Sequence, residues 1–541
     1  METYDRRGRH RWTGTSGRVP RRRPGRRKRG TASRPAFQPR RRRGALTALL
    51  VLLAIAAVGA GGGWWWYTRP ASLHVQAWPD DALITFEGID YIGDCSLDEV
   101  APGPHRIEVD REGFETYEAT VDLKRLHTTE LDVRLEPLPQ ELAVSSNPSG
   151  AEYRIEASDG TVLVGETPWV GQLPAGRTVL TLSMQGFNDY RREMMLDSTQ
   201  TVTCWMDPEG QLVHCLDVWE CGPAPKGAAF TPDGSQIWVT LLAGPPSVQV
   251  FDTATRELLG EITLGDHGAV EVAFSGDGEF AYVSQMETAL VYEIDIAARR
   301  VTRTFDTQSA WSKVVELADG TLYVSNWSGD DVSEIDIETG RTLRRLPTAD
   351  TPRGLYVTKD GRYLYVAGFG TGTLEKIDLE DGSRRTVYSG GVAIRHLVAD
   401  EERDLLYASD MGADEVLVVD LATDDVRHLA ATDEKPNTID LSPDGKVLFV
   451  SCRGANNPAS YYLPGPEWGS VLLIDTATGK PLDAVVGGNQ PTALDVSPDG
   501  RMFVFSDFLD DRLRLYEVPD YEVLAAGGGG LYEAHFEMIK K

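Results

Sequence analysis

The sequence is short of the residues that usually carry chemistry. Its nine histidines (His10, His74, His105, His127, His214, His267, His396, His428 and His535) are scattered. No two stand at metal-ligand spacing, and no Gly-x-Ser-x-Gly elbow occurs, so neither a metal site nor a serine-hydrolase nucleophile is expected. Cysteines number only five, Cys95, Cys204, Cys215, Cys221 and Cys452. The odd count rules out a fully paired set within one chain; Cys215 lies near both Cys204 and Cys221, and no connectivity follows. Basic residues are scarce beyond residue 43, where 37 face 80 acidic ones for a formal charge of −43. That balance excludes nucleic acid as the partner of the bulk of the protein. The glycine-rich run Gly368-Phe369-Gly370-Thr371-Gly372 lies between strands with no helix after it, and no cofactor is expected.

What is present is unevenly placed. The 541 residues hold 54 Lys+Arg and 82 Asp+Glu, a net −28, yet 17 of the basic residues fall in residues 1–43 beside only Glu2 and Asp5. That head carries +15 and reads as a disordered, Arg-rich segment. Gly44 to Thr68 then contains no charge. As a helix it would be roughly 37 Å long, enough to span a bilayer. Trp64, Trp65, Trp66 and Tyr67 close it with an interfacial aromatic belt, and Arg69-Pro70 end it. The basic flank lies on the N-terminal side, so the positive-inside rule predicts a single pass with a cytoplasmic N-terminus and an extracytoplasmic bulk, periplasmic or at the cell surface. A signal peptide cleaved near Val58-Gly59-Ala60 is the alternative.

Residues 71–137 and 138–208 repeat one another. Pro79 to Ala82 matches Pro148 to Ala151, Ala101-Pro102-Gly103 matches Pro174-Ala175-Gly176, and Gly113-Phe114 matches Gly186-Phe187. Between these marks lie short alternating strands, which predict two small β-sandwiches. The second copy, with Pro148-Ser149-Gly150-Ala151 and Gly165-Glu166-Thr167-Pro168, resembles the PEGA domain family. The first departs from it, with Asp80-Asp81 before Ala82 and Gly93-Asp94-Cys95-Ser96 in place of the Gly-x-Thr-Pro element. The resemblance implies an extracytoplasmic module of bacterial cell-envelope proteins, with no catalytic residues, serving as a spacer.

A second repeat occupies residues 211–519. Asp-Gly turns fall at Asp233, Asp277, Asp319, Asp360, Asp444 and Asp499, with Glu401-Glu402 in the fifth slot, at intervals of 44, 42, 41, 41, 43 and 55 residues. Each is followed by an apolar strand and then by a second strand ending, in most units, in Asp. Seven four-stranded blades are predicted. Tyr323-Val324-Ser325-Asn326 and Tyr365-Val366-Ala367 resemble the YVTN family of β-propeller repeats, which implies a seven-bladed propeller of secreted or envelope-bound bacterial proteins. The seventh unit is one strand short, and Val213 to Val218 is available to complete it. The fold expected is therefore all-β: a seven-bladed propeller preceded by two PEGA-like sandwiches and one transmembrane helix, with a tail, 520–541, left unassigned.

The aspartates of the turns read as mechanical: Pro presets φ, Asp bonds nearby backbone and Gly takes positive φ. Asp330-Asp331 and Asp507, Asp510 and Asp511 read as solvated loop acids. Two features point to function. The 55-residue interval contains an insert, 453–469, with Arg453, Asn456, Asn457, Tyr461, Tyr462 and Trp468 among prolines, a composition suited to binding hot spots. Packing as a plain lid is the alternative. A repeat column at the start of the inner strands, Lys226, Val270, Lys313, Arg353, Ile394, Asn437 and Thr492, with Arg395 and His396 beside it, places basic residues at the channel mouth on the same face. In so acidic a domain they would attract an anion, unless they pair with neighbouring loop acids. The predicted role is a membrane-anchored binding or scaffold protein whose membrane-distal face engages an envelope protein, a glycan or a small anionic ligand. A lactonase-like hydrolase using His396 and Arg395 is the competing reading; catalysis has no other support in the sequence.

Overall fold

The computed structural model describes residues 43–541, so all but the last residue of the basic head lies outside the described residues. A helix, Arg43–Tyr67, opens the described chain, and its stretch Leu49–Tyr67 is long and apolar enough to cross a membrane. Its aromatic end is flanked by cations. The Arg69 guanidinium sits 4.2 Å from the Trp65 ring, and that of Arg125 sits 4.9 Å from both Trp66 and Tyr67.

Two seven-stranded modules follow with one strand order. In the second, Val162–Glu166, Glu152–Glu156, Gly176–Ser183 and Tyr190–Leu196 form one sheet, and Trp169–Pro174, Pro139–Asn147 and Gln200–Trp205 form the other. Leu142, Val144, Ile155, Leu180, Leu182 and Val202 alternate inward along these strands and share one buried core. The first module repeats the connectivity, with a four-stranded sheet (Ile89–Ile92, Leu83–Phe86, Gly103–Asp110, Tyr117–Leu123) and a three-stranded one (Cys95–Val100, Ala71–Trp78, Thr128–Arg134). The topology is thus the same even where the turn motifs of the first copy diverge.

From residue 214 onward the chain forms seven four-stranded antiparallel sheets. The first strands of the sheets, Pro225–Phe230, Val272–Phe274, Ser312–Ala318, Pro352–Val357, Ile394–Asp400, Pro436–Leu441 and Pro491–Val496, each touch the next and the last touches the first, a β-propeller ring. The closing sheet joins both ends of the repeat, because His214–Glu220 pairs antiparallel with Arg512–Glu517. The Asp-Gly turns behave as turn chemistry predicts. Asp233, for instance, accepts from the Thr231 hydroxyl (2.6 Å) and the Ser235 amide (3.0 Å), while Gly234 holds φ +73°. Asp330, Asp331, Asp507, Asp510 and Asp511 are likewise engaged within the fold: Asp331 and Asp507 pair with Arg345 and Arg514, Asp330 accepts from the Thr351 amide, Asp510 from Asn489 and Asp511 from the Ala224 amide. Cys204, Cys215, Cys221 and Cys452 are free thiols.

The inner strands share a local irregularity. In six sheets the inner ladder slips, so that residues 226, 313–314, 353–354, 395–396, 437–438 and 492–493 lie at the slip. Such bulges re-aim side chains. Here a hydroxyl from the second strand fills the broken ladder. It accepts from the bulge amide (Gly227 to Thr240 2.8 Å; Val314 to Ser325, His396 to Ser409, Thr438 to Ser451 and Ala493 to Ser506, each 3.1 Å). Most of these hydroxyls then donate to the inner strand of the next sheet, as Thr240 does to the Val270 carbonyl (2.8 Å), Ser409 to Asn437 (2.9 Å) and Ser506 to Pro225 (3.0 Å). In the fourth sheet Ala367 replaces the hydroxyl and Gly354 supplies close approach instead: a Cβ there would lie 2.8 Å from the Arg395 carbonyl oxygen.

The second module meets the propeller at the closing sheet. Trp205 packs under Arg514 (4.4 Å) and Arg192 reaches Asp217 (3.8 Å), which lays the module along the outer wall of the closing sheet. The C-terminal tail, after a short helix Tyr521–Ala526, reaches the insert, where the Trp468 amide donates to the Ile539 carbonyl (2.7 Å). Asp483 ties the joint and tail together, accepting from the amides of Leu212 (2.7 Å), Val213 (3.0 Å) and Leu531 (2.8 Å).

Ring closure gives a direct test. Deleting 214–220 is expected to expose the Arg512–Glu517 edge, lower the thermal midpoint and promote aggregation. Ser506→Ala, which removes only the hydroxyl bridging the last and first inner strands, is expected to cost about 1–2 kcal/mol by denaturant titration. Ser235→Ala in an exposed turn should cost under about 0.5 kcal/mol.

Candidate functional site

The bulges aim four basic residues into one mouth of the channel: Lys226, Lys313, Arg353 and Arg395. Arg395, one residue beyond Ile394, is the occupant in the fifth sheet, because its bulge lies between Ile394 and Leu397 and the buried Ile394 joins the core. Arg453, first residue of the insert, adds a fifth cation. Arg353 and Arg395 are each 5% exposed and Arg453 7%, values expected of paired charges. Yet among the described residues none of the five is within ion-pair distance of a carboxylate, so the expectation that loop acids neutralise them does not hold. The acids that act on them without bonding them are Glu271 and Glu287, both felt by Lys313.

Soft and aromatic groups hold these cations instead. The Lys313 ammonium lies 4.0 Å from the Trp327 ring centre and the Arg353 guanidinium 5.6 Å from it; Lys226 lies 4.9 Å from Phe508 and Arg453 5.5 Å from Tyr461. Arg395 approaches the Met411 sulfur at 4.0 Å. Such contacts offset part of the desolvation of a cation but leave its charge in place. Electrostatics follow. Burial, then Arg395, Arg453, Arg353 and Lys313, holds the Lys226 ammonium well below the ordinary lysine range. Burial, with Arg353 and Arg395, brings Lys313 down to about 6 despite Glu271 and Glu287. Arg395 is lowered by burial and by Arg353 and Arg453, and Arg453 falls to about 10, mainly from burial. Burial raises Glu271, and the surrounding cations oppose that rise.

The insert covers this mouth. Its anchor is Gln490, whose side-chain amide donates to the Tyr461 carbonyl (2.6 Å) and whose oxygen accepts from Arg453. Tyr461 stacks on Tyr462 with ring centres 3.9 Å apart. The Arg453 Nε has no partner. Chemically, the arrangement gathers several fixed donors of like charge, partly desolvated and, among the described residues, without a bonded carboxylate.

Comparison with known proteins places this chain in a family. Antigen Lp49 of Leptospira interrogans is 33% identical over 357 residues, which span 62% of this chain and 77% of that protein. The chain belongs to the Lp49 antigen family. Within this family member, residues 71–139 and 140–207 each match the PEGA domain model. Hydrazine synthase subunit beta of Kuenenia stuttgartiensis is 25% identical over 246 residues, and the seven-bladed β-propeller protein Rv1057 of Mycobacterium tuberculosis is 26% identical over 158. These alignments cover 39% and 28% of this chain, and 58% and 37% of those two proteins. They agree with the propeller fold of the ring that carries the mouth.

Not every expected residue of this Lp49-family chain reaches the mouth. Asn437 is fully buried and donates to the Thr492 carbonyl (3.0 Å), stapling adjacent inner strands. Asn457 closes the insert on itself through Ala459 and Pro464 (both 2.9 Å), and Asn456 is exposed with no role in the mouth. Trp468 turns away to the tail, with Lys541 4.2 Å from its ring. His396 is held near pKa 3 by burial, Arg353 and Arg395; its Nδ1 has no partner, and among the described residues no carboxylate or hydroxyl side chain bonds its ring. A general-base pair for the lactonase reading is therefore not assembled around it.

Sequence reasoning missed Glu271, Gln490 and the aromatic rim. The rim was detectable as a second repeat column: Leu242, Trp327, Phe369, Met411, Arg453 and Phe508 each follow a second strand, and each amide donates to the carbonyl 16 to 18 residues before it.

Because the basic residues repel one another in the empty site, Arg395→Met is expected to raise the stability of the ligand-free protein by about 1 kcal/mol or more in denaturant titration. A loss of stability would show that Arg395 has a compensating partner.

Proposed function

We propose that this protein is a membrane-anchored, extracytoplasmic binding protein in which a seven-bladed propeller, carried on two PEGA modules, takes a small anionic ligand, or an anionic group of an envelope protein or glycan, at its basic mouth. The observation that carries the reading is the convergence of Lys226, Lys313, Arg353 and Arg395, without a bonded carboxylate, in a chain whose residues beyond 43 carry −43. Isolated buried cations are costly, so a site that keeps Arg353 and Arg395 buried beside the half-buried Lys226 and Lys313 is built for an incoming counter-charge. The helix with its Trp and Tyr end supports an anchor, and the designation of the Lp49 relative as an antigen fits an outward-facing propeller. The insert roof, Tyr461 and Tyr462 above Arg453, favours a ligand small enough to be enclosed.

The anchor is tested by N-terminal sequencing of the mature protein: residues 1–43 retained in the membrane fraction support a span, and a mature terminus near residue 60 would replace it with a signal peptide. For binding, titration with inorganic pyrophosphate at low ionic strength is expected to give saturable heat that weakens steeply with salt and is lost on deleting 454–467 or on Arg353→Met. Binding of an anion stabilises the charged lysines, so protons are taken up wherever the empty site holds them neutral. Lys313, flanked by Arg353, Arg395, Glu271 and Glu287, is charged below about pH 6 and neutral above it in the empty site. Affinity is therefore expected to rise from pH 8 to pH 6, by up to about tenfold per pH unit for each proton taken up, and to level off below pH 6. A pH-independent affinity would show that the lysines do not contact the anion.

A further inference from the structure

The channel has a second charged level. The residues three positions beyond the bulge residues Lys313, Asn437 and Thr492 are Glu316, Asp440 and Asp495. A strand alternates faces with period two, but the extra residue of the bulge restores the face at an offset of three, so these carboxylates share the channel with the basic mouth, about 10 Å further along the strands. One oxygen of each has a structural use: Glu316 accepts from the Val357 amide (3.4 Å), Asp440 from Val496 (2.7 Å) and Asp495 from Phe230 (2.7 Å), each on the next inner strand. An amide oxygen would serve that purpose equally well. Among the described residues no side-chain donor reaches any of the three carboxyl groups, and no lysine or arginine pairs with them. The level is therefore the electrostatic inverse of the mouth: carboxyl groups without cations below, and guanidinium and ammonium groups without anions above, with Glu271 between.

Burial raises Asp440 to about 6 and Glu316 to about 7, and Asp495 is raised further by burial and by its neighbour Asp440. Like the lysines above, these groups are short of counter-charge in the empty channel. A simple anion would satisfy only the mouth. A molecule with an anionic group at one end and an ammonium at the other would satisfy both levels at once. Resting on the anion site proposed above, we infer that the channel takes an elongated zwitterionic small molecule, its anionic group held by Arg353, Arg395 and Arg453 and its ammonium group against Asp440 and Asp495. The two ends are then read separately, the mouth setting whether an anion binds and the acidic level setting which anions are preferred.

The test uses the detergent-solubilised full chain and three probes, hexyl phosphate, 6-aminohexyl phosphate and 3-aminopropyl phosphate, titrated calorimetrically at pH 7.5. 6-Aminohexyl phosphate is expected to bind at least about tenfold more tightly than hexyl phosphate, a margin of about 1.4 kcal/mol. The short 3-aminopropyl compound, whose amine cannot reach the acidic level, is expected to lack that advantage, a comparison that needs no variant. In Asp440→Asn with Asp495→Asn, which keeps an acceptor for the Val496 and Phe230 amides, the two hexyl compounds should bind alike. Equal binding of the hexyl pair to the unaltered protein, or equal gain from either amine length, overturns the zwitterion while leaving the anion site standing. Failure of every phosphate to bind overturns the anion site and the zwitterion with it.

Discussion

The structure depends on a hydroxyl that does the work of a missing ladder bond. Where each inner strand slips by one residue, the freed amide would be a buried orphan, and such a group costs free energy unless it finds an acceptor. Thr240, Ser325, Ser409, Ser451 and Ser506 supply that acceptor, and several pass their own proton to the adjoining sheet. One side chain thus stabilises the bulge and joins neighbouring sheets. The bulge in turn aims the basic residues into the channel. Ring closure, local irregularity and the charged mouth are consequences of the same small group repeated around an axis.

That coupling explains how so much like charge survives in one place. Cations at fixed positions repel, and among the described residues no carboxylate bonds them, Glu271 and Glu287 acting only through space. A flexible loop would relieve the strain by moving its lysines into water. Inner strands locked on both sides cannot, and the repulsion is expressed instead as lowered proton affinity at Lys226 and Lys313. Trp327, Phe508, Tyr461 and Met411 soften the cost without cancelling the charge. The tail and the second module act at a distance from this chemistry. Through Asp483, and through the contact of Trp468 with the tail, they brace the sheet that bears the insert.

Much of this was legible in the residues. The Asp-Gly intervals counted the units, the short seventh unit located the closing strand at its sequence partner, and the shared marks of 71–137 and 138–208 foretold two modules of one topology. The site was legible only in part. Lys226, Lys313 and Arg353 were found because a column of repeats preserves register, but Ile394 stood in for Arg395, since a bulge advances one residue in a way that no spacing records. Asn437 and Trp468 have the composition of a binding surface and serve packing instead, a distinction set by which neighbour happens to be within reach. The aromatic rim was missed because its members differ in side chain and agree only in one backbone hydrogen bond.

By itself, then, the sequence determined what is periodic and local: an uncharged span with an aromatic end, two copies of a β module, a repeat whose turns are set by Asp and Gly, and an excess of acid against which a few basic residues stand out. Tertiary structure alone decided which of those basic residues share a space, that no carboxylate shares a bond with them, and that carboxyl groups face the same channel one level below. Charge pairing is a property of distances between strands roughly forty residues apart in the chain, and only the closed ring sets those distances.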